Sequence, residues 1–266
     1  MIDYRKVCAQ DVKKLKKLWL SCFSEREEAA ESFFKRNIDT CHGYCACDDN
    51  KIIAALYLID CALCGRKAHY LCGAATLPDY RKKGVMSELI EFALADAAER
   101  GDSYSALLPA NEKLYGYYAA RGYVPCGASC TAVFSCEEQG VFSSGKPDIE
   151  KLQAECFKDK FLLWNKDYID FAAEYYACYG VEPVKSANAF ALYERKGDFA
   201  DVFYAAFNDL KELKSLLYAQ GVRRFSLTGS PANPLFDKSK PEKRGMLRPL
   251  DDSELPGAFY IGITLD

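Results

Sequence analysis

The sequence predicts an α/β protein of two domains, the second loosely repeating the alternation of the first. Three observations predict it. Short apolar runs of strand length alternate with amphipathic helical periods along the chain. A strand-like run at residues 68–76 passes through a basic glycine turn straight into a helical period. The 266 residues, half of them hydrophobic, exceed a typical single domain. They are broken at residues 137–150, where Gly140, Ser143, Ser144, Gly145 and Pro147 mark a linker. Domains of 1–145 and 146–266 follow.

Taken in order, residues 2–7 read as a strand and 10–23 as a helix with an apolar stripe of Val12, Leu15, Leu18, Trp19 and Cys22. Lys13, Lys14, Lys16 and Lys17 form its wet face. A second helix spans 27–38. Residues 44–47 and 52–61 read as strands joined at Asp48-Asp49-Asn50-Lys51, a turn by composition. Cys61 and Cys64 bracket a hairpin before the strand at 68–76, which Pro78 ends. From Gly84 onward Val85, Leu89, Ile90, Phe92 and Ala93 return to one face, Ser87, Glu88, Glu91 and Asp96 fall largely on the other, and Gly101 stops the helix. A strand at 103–109, a helix from Asn111 and a strand at 130–136 complete the first half. The second half reads as helices at 167–179 and 209–220, with strands at 187–194, 200–207, 222–228, 246–249 and 259–265.

The turn before the helix at Gly84 carries the chemistry. A helix start exposes unpaired N–H groups and the positive end of the dipole, and Arg81, Lys82 and Lys83 add charge where an anion is already favoured. Gly84 lets the backbone approach a ligand closely. Neither G-x-x-x-x-G-K-[ST] nor G-x-G-x-x-G occurs in the chain.

Arg81-Lys82-Lys83-Gly84-Val85-Met86 instead resembles the R/Q-x-x-G-x-G/A acetyl-CoA loop of the GNAT N-acetyltransferases, with Met86 in place of the usual small residue. After the next strand, Asn111, Tyr118, Gly122 and Tyr123 fall on that family's N-x6-Y-x3-G-F/Y spacing. The resemblance implies a GNAT fold, a mixed and mostly antiparallel sheet flanked by helices, over the first half. It also implies an acetyl-CoA-dependent acyltransferase that moves an acetyl group to a primary amine of a small molecule or peptide by direct attack on the thioester. Tyr118 would act as general acid toward the departing sulfur, with Tyr115 and Tyr117 as rivals. The backbone of Ala74, Ala75 and Thr76 would pair with the pantetheine arm. Arg81, Lys82, Lys83, Gly84, Val85, Met86 and Ser87 would hold the pyrophosphate, and Asn111 would anchor the cofactor near Tyr118. The competing reading is a non-catalytic GNAT-fold module that senses CoA or binds a protein.

The second half looks like a degenerate GNAT-like domain. Its strand at 200–207 runs into Asn208-Asp209, an aspartate that satisfies the helix amides itself and repels phosphate, so no second CoA site is expected. The tandem is similar to the Eis-type acetyltransferases but shorter. That likeness implies a general base in the chain's terminal carboxylate, at Asp266.

Composition bounds the partners. A net charge of −3 and pI near 5.6 argue against nucleic acid. The N-terminus lacks signal-peptide order and the apolar run at 52–59 is too short for a bilayer, so no membrane is expected and the chain is placed in the cytoplasm. There the thirteen cysteines stay largely reduced. Cys41-His42-x-x-Cys45-x-Cys47, Cys61-x-x-Cys64 and His69 with Cys72 have zinc-like spacings, yet most sit in strands as small hydrophobes, and no metal is expected. Glu25, Glu27, Glu28 and Glu31 form an acidic loop that would draw a cationic amine, or simply favour the helix dipole. The surface of the second half leaves room for a homo-oligomer.

Overall fold

The computed structural model describes residues 1–37, 41–136, 143–158 and 160–265. Asp266 lies outside the described residues. The chain opens with β1 (Ile2–Lys6), α1 (Val12–Cys22) and α2 (Glu27–Asn37), then β2 (His42–Asp48), β3 (Lys51–Leu63) and β4 (Arg66–Thr76). α3 (Val85–Glu99), β5 (Tyr104–Leu107) and α4 (Glu112–Ala119) follow. Next come β6 (Ala128–Ser135), α5 (Ile149–Phe157), β7 (Leu162–Leu163) and α6 (Lys166–Ala177). The chain then forms β8 (Val181–Ser186), β9 (Ala189–Lys196), β10 (Phe199–Phe207), α7 (Leu210–Ala219), β11 (Arg224–Gly229), β12 (Glu242–Lys243) and β13 (Met246–Pro249).

Two sheets result, in the orders β1-β2-β3-β4-β5-β13 and β12-β6-β11-β10-β9-β8. Each has one parallel step, β4–β5 and β10–β11, bridged by α3 and α7; the remaining neighbours are antiparallel. The strand beyond the parallel step is exchanged between halves of the sequence. β6 follows the first half yet pairs with β11, and β13 comes late yet pairs with β5. The compact units are accordingly Met1–Val124 with Met246–Leu255, and Pro125–Gly245 with Pro256–Asp266. The expected division is a single cut near residue 145; the chain instead crosses at 124/125, 245/246 and 255/256. The glycine and serine signals near 145 fall between β6 and α5, inside the second unit, whereas the first crossing runs through Val124-Pro125 with no linker composition.

In the first unit the face of α3 bearing Leu89, Ile90, Ala93, Leu94 and Ala97 is buried against Tyr44, Leu56, Leu58 and Leu71 of the sheet. Full burial of each large side chain stabilises by roughly 1.5–3 kcal/mol, so packing outweighs helix propensity in fixing α3. On the other side Trp19 of α1 stacks on Phe33 of α2 with ring centroids 4.6 Å apart, and both contact Tyr57 of β3. The β3–β4 hairpin turns at Cys64 and Gly65, both with positive φ (51° and 72°).

The second unit centres on Trp164, whose Nε1 donates to the Ile261 carbonyl at 2.8 Å. Buried Gln153 meets the Trp164 backbone twice, donating to its carbonyl at 2.7 Å and accepting from its N–H at 3.1 Å. Gln153 lies on α5, a helix the sequence reading missed, capped by Asp148. The strand expected at 259–265 is not formed: Phe259 and Tyr260 make isolated bridges to Gly127 and Phe161, and the tail packs as irregular backbone.

Among the described residues no helix is long and apolar enough to cross a membrane. Among them, too, no three His, Cys, Asp or Glu side chains gather as a metal site, and the cysteines are free thiols. Cys45 and Cys47 lie on one face of β2 with sulfurs 3.9 Å apart.

Candidate active site

The site begins where β4 and β5 part. Their parallel pairing covers Ala68↔Tyr104, His69↔Ser105 and Tyr70↔Ala106, and stops there, while β4 runs on to Thr76. Past that point β4 carries a bulge, the register against β3 moving from Tyr57↔Cys72 to Ala55↔Ala75. Gly73 makes the bulge, at φ +60°, and a Cβ there would lie 2.3 Å from Trp19 Cζ3, so glycine is required on both counts. The divergence opens a cleft of about 710 Å³, with Ala74, Ala75 and Thr76 on the β4 side and Asn111, Leu114, Tyr117, Tyr118 and Arg121 on the α4 side.

One end of the cleft is the turn into α3. Gly84 is the N-cap residue at φ 84°, and Lys82 is also left-handed at φ 61°. A Cβ on Gly84 would meet only Glu88 Oε1, at 3.7 Å, so conformation rather than crowding calls for glycine. Arg81, Lys82, Gly84, Val85, Met86 and Ser87 all line the cleft. Arg81 Nε donates to the Thr76 carbonyl at 2.9 Å and ties the turn back to the end of β4. Lys83 does not line the cleft; its Nζ lies 5.5 Å above the Tyr80 ring, whose hydroxyl donates to Asp48 at 2.7 Å. The charged side chains among the lining residues, Arg81, Lys82 and Arg121, are all cationic. That donor set suits a polyphosphate.

Asn111 caps α4, its Oδ1 accepting from the N–H of Lys113 at 3.1 Å and of Leu114 at 3.3 Å. Tyr118 lines the cleft while 92% buried by residue area, its exposure being 8%, with its ring 5.2 Å from that of Tyr117 and 5.8 Å from that of Tyr123. Of its rivals, Tyr117 lines the cleft and Tyr115 does not. Tyr123 pairs with Ser105 Oγ at 2.6 Å, and burial holds its phenol well above the usual range.

Sequence reasoning missed Arg121, Cys22 and Phe23, which also line the cleft. Arg121 stands four residues after Tyr117, in the turn that follows α4, and its guanidinium lies 3.5 Å over that ring. It donates to the Tyr117 carbonyl and to Ser87 Oγ on the first turn of α3. Cys22 and Phe23 end α1, and nothing in their spacing marks them. The acidic loop has local partners: Glu25 accepts from Trp19 Nε1 at 2.5 Å, and Glu27 and Glu31 both pair with Lys16.

The site is thus a parallel strand pair splayed beside a glycine-capped helix start, with a tyrosine along the same opening. Residues 3–126 match the family model described as the acetyltransferase (GNAT) domain. Structural likeness extends over both units. A probable N-acyltransferase from Enterococcus faecalis V583 superposes with a TM-score of 0.73 at 15% identity, over 94% of this chain and 73% of its own. Eis1 from Mycobacterium abscessus gives 0.68 at 12% identity, over 94% and 74%. A tandem GNAT protein from the clavulanic acid biosynthesis pathway gives 0.55 at 11% identity, over 96% and 100%. At such identities these likenesses establish the fold, a GNAT domain followed by a second GNAT-like one. No curated protein matches the sequence.

Proposed function

We propose that the first unit is an acetyl-CoA-dependent N-acetyltransferase that passes the acetyl group directly to a primary amine of a small molecule or peptide, with Tyr118 as the general acid. The observation that carries this reading is the continuity of one cleft from the α3 start, past the unpaired end of β4, to Tyr118. The N–H groups of residues 82–87 and the cations beside them suit the pyrophosphate. The edge of β4 past its pairing with β5, at Ala74 to Thr76, suits the amides of a pantetheine arm, which would extend the sheet in place of β5, the Thr76 carbonyl being already taken by Arg81 Nε. Asn111 contributes by fixing the start of α4 and so the direction in which Tyr118 faces.

The amine nitrogen attacks the thioester carbonyl carbon, the carbon–sulfur bond breaks, and the sulfur takes the Tyr118 hydroxyl proton. The amine's own proton has no carboxylate to go to among the lining residues, so it leaves through water or through a group beyond them.

Tyr118→Phe tests the assignment. General acid catalysis contributes about 10²–10⁴-fold, so the variant should bind acetyl-CoA as the parent does and lose at least a hundredfold in turnover against a panel of amines. An unchanged rate would sink it. The sensor reading is separated by two measurements. A thermal shift with acetyl-CoA, about 2.7 kcal/mol at a hundredfold excess over Kd, reports the pocket, and thiol release on the amine panel reports catalysis.

A further inference from the structure

We propose that Arg121 is a second anion contact of the donor cleft, a guanidinium presented from the turn after α4 that binds a phosphate of the donor beside the α3 amides. The inference rests on the reading of the cleft as an acyl-CoA site.

Place is the first argument. Arg121 reaches across from the turn that follows α4 to Ser87 Oγ, so its guanidinium stands beside the first turn of α3, where the phosphates are expected. Its guanidinium carbon lies 3.5 Å from the centroid of the Tyr117 ring, a contact that holds the donor fork in place.

Charge is the second. Elsewhere in this unit the part-buried guanidiniums are matched by carboxylates: Arg5 by Asp11, Arg100 by Asp96 and Asp102, Arg248 by Glu91. Arg121 makes no ion pair among the described residues, its hydrogen bonds to Tyr117 and Ser87 go to neutral oxygens, and no carboxylate lines the cleft beside it. Its Nε is buried and finds no acceptor. Of the other cations lining the cleft, Arg81 already spends its Nε on the Thr76 carbonyl, and Lys82 offers a point charge rather than a fork. A planar donor without a counter-charge, facing a cleft of anion-binding character, is suited to a phosphate oxygen pair.

Support is the third. The backbone of Arg121 is pinned from β13: Arg248 Nη1 donates to the Arg121 carbonyl at 2.8 Å, and the same guanidinium grips both oxygens of Glu91 on α3 at 2.7 and 2.9 Å. The turn that carries Arg121 is thereby tied to α3 through Arg248. A donor contact fixed in advance loses little freedom on binding.

Calorimetry on the full chain with CoA, dephospho-CoA and S-acetylpantetheine tests the proposal, using Arg121→Met and Arg121→Lys. CoA affinity should fall about 10- to 100-fold in Arg121→Met and less in Arg121→Lys, whereas binding of phosphate-free S-acetylpantetheine stays within twofold. An equal loss with dephospho-CoA supports contact with the pyrophosphate; a loss confined to CoA supports contact with the 3′-phosphate. Unchanged CoA affinity in Arg121→Met overturns the proposal, as does an equal loss with S-acetylpantetheine, which marks a structural role only. If the parent protein binds no CoA, the donor reading fails and this inference with it. Arg121→Lys keeps the stem that packs on Tyr117, so a folded variant remains for comparison if Arg121→Met unfolds.

Discussion

Removing β13 should unfold the first unit, although β13 lies more than a hundred residues beyond the last helix of that unit. The perturbation is a fragment of residues 1–124, compared with the same fragment joined by a short glycine-serine linker to residues 246–255. β13 contributes Met246 and Leu247, both 0% exposed, at roughly 1.5–3 kcal/mol each on full burial. It also forms the antiparallel ladder from Met246↔Leu107 to Pro249↔Tyr104, two bonds with Val124 at 2.8 and 3.0 Å, and the Leu250 N–H to Ser103 carbonyl bond at 2.9 Å. Backbone hydrogen bonds contribute about 1 kcal/mol each net. The Arg248–Glu91 pair is too exposed to add more than about 1 kcal/mol. The total is roughly 6–10 kcal/mol, comparable with the whole stability of a typical domain at about 5–15 kcal/mol, and its loss also bares the β5 edge to aggregation. Trp19, the one tryptophan in either fragment, is buried and reports unfolding in urea by fluorescence. The short fragment should show no cooperative transition and the joined one should. Cooperative unfolding of residues 1–124 alone, within about 1 kcal/mol of the joined form, would refute the argument. Stopping at 124 keeps β6 out of the experiment, since β6 could otherwise take the vacant edge.

Gly73→Ala should cost roughly 2–5 kcal/mol, about 1–2 for a left-handed β-carbon and about 1–3 for driving it into Trp19, read as a shift of the urea midpoint; a shift worth under 1 kcal/mol would mean that the bulge does not need glycine. Stability should fall in two stages on acidification. Burial pushes His69 below its usual value despite its bond to Asp102 at 2.8 Å, so the unfolded chain takes up a proton near pH 6.5 that the folded one resists, and stability declines as pH drops from there. Burial alone would raise Asp102, but His69, Lys67 and Arg100 bring it down to about 2, so its contribution is present above about pH 4 and lost between about 4 and 2. In urea titrations from pH 7 to 2, His69→Gln should remove the upper stage and keep part of the lower; an unaltered profile would discard the assignment.

What was legible in the sequence is what local chemistry decides. The start of α3 follows from Gly84 and the period after it, and the run at 68–76 is β4 with two residues added. Asn111 is visible as a cap because its side chain competes for the next amides. The partner of a strand is set by distant residues, so Met246 to Pro249 and 103–109 both read as strands while their pairing with each other cannot be read. The bulge is hidden because Gly73 sits in a small-residue strand pattern, and only Trp19 above it shows why no side chain fits. Arg121 reads as a wet helix face because its acceptor, Ser87, is a contact between helices. The acidic loop reads as a rim for a substrate because the lysine that occupies Glu27 and Glu31 lies on another helix.

Among the described residues, two independent features of the second unit argue against a second donor cleft. At the start of α7, Asp209 accepts from the N–H of Lys211 at 2.8 Å, which puts a carboxylate where Gly84 leaves the α3 amides open. A phosphate there would have to displace that charge and then face it. The second feature is the space between the parallel strands. β10 and β11 pair only as far as Val202↔Leu227, so they part as β4 and β5 do, but the gap is filled. Phe157 of α5 and Phe236 pack into it, the Phe236 ring so close to β11 that a Cβ on Gly229 would lie 2.5 Å from it. The remaining cavity is about 10 Å³, the room of a single water at most. Aromatic filling stabilises the wedge as a core, and the same wedge left unfilled in the first unit lacks that packing energy. Both features support the proposal that donor binding belongs to the first unit, where β4 runs on past its pairing with β5.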